Sequence, residues 1–521
     1  MRPSALLPER RVWLPAGLAA VLLFVAYKPF GLSPLAFVAL VPFLRELEAA
    51  RARGWTGWTA ARLGYWFGVV VNGVVLYWLV IALWHFTPLS LAGYLAAVLI
   101  VLAPQWALAA WLVARIRRTT TLPLVLVFPL VWTAVEWIGG HLGDVRFPWL
   151  GLGTALGGVP LLAQWADLAG ARGLTCWAAW VNVALYEAAM AVASRRTRRA
   201  AGYAAAVLAT IVAAAGYGAW REHTLVMRPV ATVAVIQPNF GYDEKAASRG
   251  TDTLLTRMLD LTRRAGALPG VRLIVWSEAV LDEFFDRRPD VEQAIGTLAR
   301  TLKTPILAGA LDEQYGADGS WQYYNAAFLF DTTGSDRAQP SYRKTYLVPL
   351  VERVPFVNPR WFGRLQYFGG FGRGDRFPVY HIAAGRFGVL ICYESAFEDL
   401  ARGYRRRGAD FLVNITNDSW YGTTAAPAQH ASHLVMRAIE TRMGIARAAQ
   451  TGISEFVDPL GHEHDRTGLD TLAVEAQPVL TTDGLTVYVR LGDWVAALAL
   501  AGTAAMLVAA QWRRHTQPGV A

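Results

Sequence analysis

Cysteine is nearly absent: two residues in 521. That excludes a disulfide scaffold. Charge is also scarce, at 17% of residues, against about 25% in ordinary soluble chains. A disordered chain needs the opposite, high charge with low hydrophobicity. No internal repeat and no low-complexity tract is present, so a solenoid is excluded. No metal constellation stands out. His430 and His433 are three apart on a helical stretch, but further ligands are missing, so they read as helix surface or core. Gly151, Gly153 and Gly157 resemble a dinucleotide loop, but the spacing is one residue too long. What is abundant is apolar: 54% of residues, with 21 Trp and 22 Phe, and a mean hydropathy of +0.30. Such a chain has large parts in lipid. Its length suggests about three units. The net charge of +10 invites a nucleic-acid reading, but the placement of the arginines argues for a membrane and no nucleic-acid partner.

Apolar runs predict membrane spans at Val12–Tyr27, Pro34–Leu44, Leu63–Trp84, Leu89–Val113, Leu122–Ile138, Gly173–Ala193, Ala200–Trp220 and Val495–Trp512. The second is short against the roughly 20 residues needed to cross. The first has a basic start like a signal peptide, but no small-x-small cleavage site follows, so it reads as an uncleaved anchor. Basic residues near span ends mark the cytoplasmic side. With the N-terminus inside, the inside set holds fifteen: Arg2, Arg10, Arg11, Arg45, Arg51, Arg53, Arg115, Arg117, Arg118, Arg195, Arg196, Arg198, Arg199, Arg513 and Arg514. The outside short loops hold three: Lys28, Arg146 and Arg172. The expected layout is a membrane domain of about seven helices over residues 1–222, an extracytoplasmic domain over 228–488, and a last span over 492–513. Both termini are then cytoplasmic. Glu136 and Asn72 fall inside spans, where polar groups are costly, and are expected to hydrogen-bond between helices.

The middle of the chain differs. Apolar runs at Val230–Ile236, Leu273–Trp276, Pro305–Ala310, Asn325–Phe330, Phe387–Ile391 and Phe411–Asn414 read as buried strands. Helical patterns at Thr253–Ala265, Val291–Leu302 and His430–Arg442 separate some of them. Strands apolar throughout, interleaved with helices, predict an α/β layered fold. Chemistry in such folds collects at the carboxyl ends of strands. Glu278 and Cys392 stand there. Cys176, the other cysteine, falls in a predicted span, so Cys392 is expected to be a free thiol. The polar turn Cys392-Tyr393-Glu394-Ser395 after an apolar strand suits an exposed nucleophile, which needs a base and a cation or dipole nearby.

Three motifs in order resemble the Glu–Lys–Cys triad of the nitrilase superfamily: Val275-Trp276-Ser277-Glu278, Tyr342-Arg343-Lys344-Thr345 leading to Leu347-Val348-Pro349, and Leu390-Ile391-Cys392-Tyr393-Glu394. With the membrane frame, they resemble one branch, the apolipoprotein N-acyltransferases. The resemblance extends to Phe147-Pro148-Trp149-Leu150, Val354-Pro355, Asn417-Asp418-Ser419-Trp420-Tyr421-Gly422, the helix from Gln429 to Arg442, and Gln450-Thr451-Gly452. The chain departs from the family pattern at Ser277, Thr345-Tyr346 and Leu350–Arg353, outside the three reacting groups.

The resemblance implies a multi-span α-helical membrane domain joined to a nitrilase-like αββα sandwich. It implies Glu278 as general base, Cys392 as the nucleophile that forms a thioester, and Lys344 as oxyanion stabiliser. Glu352 and Glu394 take supporting roles. Trp420, Tyr421 and Tyr393 are expected to line the acyl pocket. The implied reaction moves an acyl chain from a phospholipid, expected to be phosphatidylethanolamine, to the α-amine of a diacylglyceryl-cysteine in an apolipoprotein. No cofactor or metal is expected. The implied setting is the bacterial inner membrane, as a monomer, with the catalytic domain periplasmic. The aromatic and Gly-rich stretch Trp361–Gly372 reads either as a lid that dips into the bilayer or as an ordinary loop. The alternative function is a membrane-tethered amidase in which water replaces the amine. A scaffold on a degenerate fold is a third reading, and it predicts a broken triad.

Overall fold

The structure, a computed structural model, describes residues 9–84, 89–248, 252–315, 321–355 and 370–516. Two compact units emerge. One comprises Met1–Val80, Pro88–His223 and Leu491–Ala521; the other, Ile81–Thr87 and Thr224–Arg490.

The first unit is helical. Among the described residues, four helices are long and apolar enough to cross a membrane: Ser90–Thr119, Ala166–Ala193, Thr197–Thr224 and Trp494–Arg513. A pair, Gly57–Val75 and Trp78–Trp84, qualifies jointly but bends by 62°. Leu124–Gly140 is apolar but shorter, and Trp13–Ala26 has only 14 residues. The predicted span Pro34–Leu44 is not one helix. It is a 3₁₀ turn, Ser33–Phe37, followed by helix Val41–Ala52. The second helix carries Arg45, Glu46, Glu48 and Arg51, and Pro42 starts it, because proline fits a first helical turn and not an interior.

Two further expectations change. Arg172 is not in a loop: it is buried on helix Ala166–Ala193 and donates to Glu136 Oε1 at 2.6 Å. Among the described residues, Asn72 donates to Gly68 within its own helix at 2.8 Å and not to a neighbouring helix. Glu136 does join separate segments, accepting from Thr175 Oγ1 at 2.7 Å and the Leu152 amide at 2.9 Å.

The second unit has four layers. Its strands are β1 Arg228–Gln237, β2 Val271–Val275, β3 Ile306–Tyr315, β4 Trp321–Phe330, β5 Tyr342–Arg343, β6 Tyr380–Ile382, β7 Gly385–Ile391, β8 Phe411–Thr416, β9 Ile445–Ala449, β10 Glu455–Val457, β11 Glu463–His464 and β12 Ala473–Thr481. One sheet runs β12-β1-β2-β3-β4-β5, the other β11-β10-β9-β8-β7-β6. The central strands β1–β2–β3 and β7–β8–β9 pair in parallel. The outer helices are α1 Thr253–Gly266, α2 Pro289–Leu302, α3 Glu398–Arg406 and α4 Ala426–Thr441.

Strand side chains alternate between faces, and here both faces are buried. Val233, Val235, Leu273, Val275, Val389, Ile391, Val413 and Ile415 meet between the sheets. Ala234, Ile236 and Ile274 turn the other way, onto Leu254, Met258, Val291 and Ile295 of α1 and α2. Leu390 and Leu412 face Leu400, Leu434 and Ala438 of α3 and α4. This explains the unbroken apolar strands. Each fully buried Val, Leu or Ile contributes about 1.5–3 kcal/mol. Cys392 belongs to the inter-sheet core, at the end of β7.

Candidate active site

Glu278 follows β2 by three residues. Its loop is pinned: Trp276 Nε1 donates to Thr262 Oγ1 at 2.9 Å, and Lys245 Nζ to the Ala279 carbonyl at 2.7 Å. Strand β3 passes so close that a Cβ at Gly309 would lie 2.5 Å from the Ser277 carbonyl and 2.8 Å from Glu278 Cα. Only glycine fits there. The buried Glu278 carboxylate accepts from Asn325 Nδ2 at 2.6 Å and Lys344 Nζ at 3.3 Å on one oxygen. On the other it accepts from the Asn417 amide at 2.7 Å.

Lys344 follows the two-residue strand β5 and is 1% exposed. Its Nζ donates to Glu352 Oε1 at 2.8 Å as well as to Glu278. Burial opposes its charge, but Glu278, Glu352 and Cys392 outweigh that and hold the ammonium well above its ordinary range. Glu352 is itself anchored by the Val348 amide at 2.9 Å.

Cys392 starts a 3₁₀ turn, Cys392–Ala396, with φ +53°. A non-glycine residue in this region costs about 1–3 kcal/mol and persists only where its surroundings enforce it. Glu394 is that enforcement. One carboxylate oxygen accepts from the Ile391 amide at 2.7 Å. The other accepts from Tyr342 Oη at 2.7 Å, the Thr345 amide at 2.6 Å and the Tyr346 amide at 3.1 Å. Glu394 thus ties the cysteine turn to the segment carrying Lys344. Burial pushes its carboxyl up to about 7, with those hydrogen bonds opposing.

The Cys392 thiol is raised above its ordinary range, first by burial and then by Glu278, while Lys344 opposes the rise. It therefore rests as a neutral thiol, and attack requires a base to take its proton as the bond forms. Both cysteines are free.

Five expected residues thus converge: Glu278, Lys344, Cys392, Glu352 and Glu394. Tyr421 lies near too; burial and then Cys392, Asp418 and Glu278 raise its phenol well above normal. Tyr393 is buried edge-on against Phe397, centroids 5.1 Å apart. Trp420 is half-buried on the turn Ser419–Tyr421. His430 is core, 2.8 Å from Asp418 Oδ1. Most of the stretch Trp361–Gly372 lies outside the described residues. Within it, Gly372 donates to the Tyr323 carbonyl at 2.7 Å.

Sequence reasoning missed Asn325, whose amide also donates to Glu352 Oε1 at 3.2 Å. Its signal was available: Asn325 is in phase with Ala327 and Leu329, which face the inter-sheet core. A polar residue there needs a partner.

A buried carboxylate pair sharing one ammonium beside a strained thiol brings a candidate base, a cation and a nucleophile into one site. The carbon-nitrogen hydrolase family model matches residues 232–468, and that of the apolipoprotein N-acyltransferase N-terminal domain matches 19–184. The apolipoprotein N-acyltransferase of Geobacter metallireducens is 34% identical over 522 residues, covering 97% of this chain and 96% of its own. That of Gloeobacter violaceus is 33% identical, covering 95% and 94%. Among solved structures, Saccharomyces cerevisiae Nit3, of branch 10 of the nitrilase superfamily, is 18% identical. It covers 50% of this chain and 93% of that one, with a TM-score of 0.38. The chain belongs to the apolipoprotein N-acyltransferase family.

Proposed function

We propose that this membrane protein transfers an acyl chain from a phospholipid to the N-terminal α-amine of diacylglyceryl-cysteine in apolipoproteins. The observation that carries the reading is the convergence of Glu278, Lys344 and Cys392 in a chain whose likeness to N-acyltransferases spans nearly its full length.

In the first step Glu278 takes the Cys392 proton as Sγ attacks the ester carbonyl. Lys344 and a backbone N–H beside Cys392 stabilise the oxyanion. The carbon–oxygen bond breaks, and Glu278 returns the proton to the departing lysophospholipid oxygen. In the second step the lipoprotein amine attacks the thioester. The carbon–sulfur bond breaks, and the amine proton passes through Glu278 to regenerate the Cys392 thiol. Atoms and charge balance without an external cofactor. Glu352 holds Lys344; Glu394 holds the cysteine turn; Tyr393, Trp420 and Tyr421 line the acyl pocket. Phosphatidylethanolamine is the proposed donor.

The proposed site of action is the inner membrane, with both termini cytoplasmic and the catalytic domain periplasmic. The basic-residue asymmetry supports it, with the broken segment from Ser33 to Ala52 counted as a crossing. The test is incubation of purified protein with phosphatidylethanolamine vesicles and a diacylated lipopeptide, followed by mass spectrometry. The expected product is the N-acylated, triacyl peptide, absent with Cys392→Ala. An unchanged lipopeptide alongside hydrolysis of a small amide would establish the amidase reading instead.

A further inference from the structure

Strand β8 carries no reacting group, yet its carboxyl end touches both reacting partners. The Asn417 amide donates to Glu278 Oε2 at 2.7 Å. Thr416 follows Ile415, which is in register with Ile391, and its hydroxyl is close enough to Cys392 to favour the thiolate. The next residue, Asp418, turns into the protein and is buried. Its Oδ1 accepts from Thr416 Oγ1 at 3.1 Å and lies 2.8 Å from His430 Nδ1; its Oδ2 accepts from Arg447 Nη2 at 2.7 Å. Arg447, on β9 and 0% exposed, also donates to the Asn414 side chain on β8 and to the Ile453 carbonyl. A Cβ on Gly452 would lie 2.3 Å from Asp418 Oδ2, so the chain closes directly over this carboxylate.

We propose that Asp418 is a positioning residue. Anchored by Arg447 and His430, it fixes the Thr416–Asn417 peptide that aims Glu278 at Cys392. The proposal rests on the reading of Glu278 as base and Cys392 as nucleophile. A glutamate carboxylate has three side-chain torsions to restrain. Asn325 and Lys344 hold one oxygen, and the Asn417 amide is what holds the other. The Asp418 charge itself opposes a Cys392 thiolate. Its benefit to the reaction is therefore geometric, not electrostatic. Geometry of this kind matters to rate: a misplacement of about 1 Å costs on the order of 10²-fold.

The test is the p-nitrophenyl acetate burst of the full chain in detergent. Each working site releases one p-nitrophenolate as Cys392 is acetylated, so amplitude counts folded sites and rate reports their chemistry. The groups facing Glu278 are Lys344, Glu352, Cys392 and Tyr421, and none is altered by the substitutions used. Wild type should give a burst rate with a plateau against pH, as a positioned base produces. Asp418→Asn should keep the amplitude, lose on the order of 10²-fold in rate, and lose the plateau, with the rate climbing with hydroxide instead. Arg447→Lys, which keeps the charge but not the fork, should fall between the two. A smaller amplitude with the wild-type rate and profile would make Asp418 merely structural and overturn the proposal. If Asp418→Asn does not fold, Thr416→Val decides. It leaves the ion pair intact, and full amplitude at about one-tenth the rate, the scale of one lost hydrogen bond, supports the proposal, whereas an unchanged rate overturns it. Acetate needs no phospholipid. A wild-type burst without phospholipid turnover would therefore fault the lipid reading while leaving this result readable.

Discussion

Each unit buries a carboxylate against a cation, and the two sites differ in how fully the charges are matched. In the helical unit, Glu136 meets Arg172, and both carboxylate oxygens are filled by Arg172, Thr175 and the Leu152 amide. Among the described residues, one carboxylate there faces one guanidinium. In the sandwich unit, two carboxylates, Glu278 and Glu352, share one Lys344 ammonium, and a neutral thiol sits beside them. That cluster sets two carboxylates against a single ammonium. The first arrangement holds helices together; the second is poised for chemistry. Burial of a charged group does not by itself distinguish them, since buried pairs are often structural. The local balance of charge does.

Substitutions at the two clusters should have very different consequences. The largest effect is expected from Cys392→Ala, which should abolish transfer at full protein yield. Glu278→Gln should slow acyl-enzyme formation by about 10²–10⁴-fold, the range for a general base. It should not slow alkylation of Cys392 by iodoacetamide equally, because the Glu278 charge disfavours the thiolate. Equal losses in both assays would contradict the base assignment. Lys344→Met should cost about 10²–10³-fold in the acylation rate, as loss of an oxyanion donor does. In wild type, alkylation should keep rising above pH ~9, past where a free thiol levels off. The sign follows from the raised thiol pKa: less thiolate at neutral pH, with its growth displaced upward. The smallest effect on chemistry is expected in the helical unit. Arg172→Met should leave the acylation rate per folded molecule within a few-fold while destabilising by about 3–5 kcal/mol, read as a lower thermal midpoint. A large rate loss at unchanged stability would show that the closed pair has a catalytic part.

The contrast also explains what could be read from the residues alone. Glu278 and Cys392 were legible because each is a polar residue ending a run of core strand residues. Lys344 was legible only by resemblance, since β5 has two residues and no period to detect. The same brevity hid β6, β10 and β11. Arg447 lies in Ile445–Ala449, where a lone arginine among alanines looks solvent-facing; it is buried because Asp418 and Asn414 receive it. Asp418 and Arg447 are 29 residues apart, and only the strand order brings them together. In the helical unit, hydropathy located apolar segments but not their continuity. Ser33–Ala52 is broken, and the pair ending at Trp84 bends, because local turns and prolines act below the averaging window.

In the proposed reaction Cys392 carries the acyl chain between donor and acceptor. The most direct measurement is mass spectrometry of the Cys392 peptide after incubation with phosphatidylethanolamine alone, in wild type and Cys392→Ala. The account predicts a hydroxylamine-sensitive acyl group on wild-type Cys392 that a diacylated lipopeptide then discharges. Triacylated product formed while Cys392 remains free in rapidly quenched samples, or formed equally by Cys392→Ala, would contradict it.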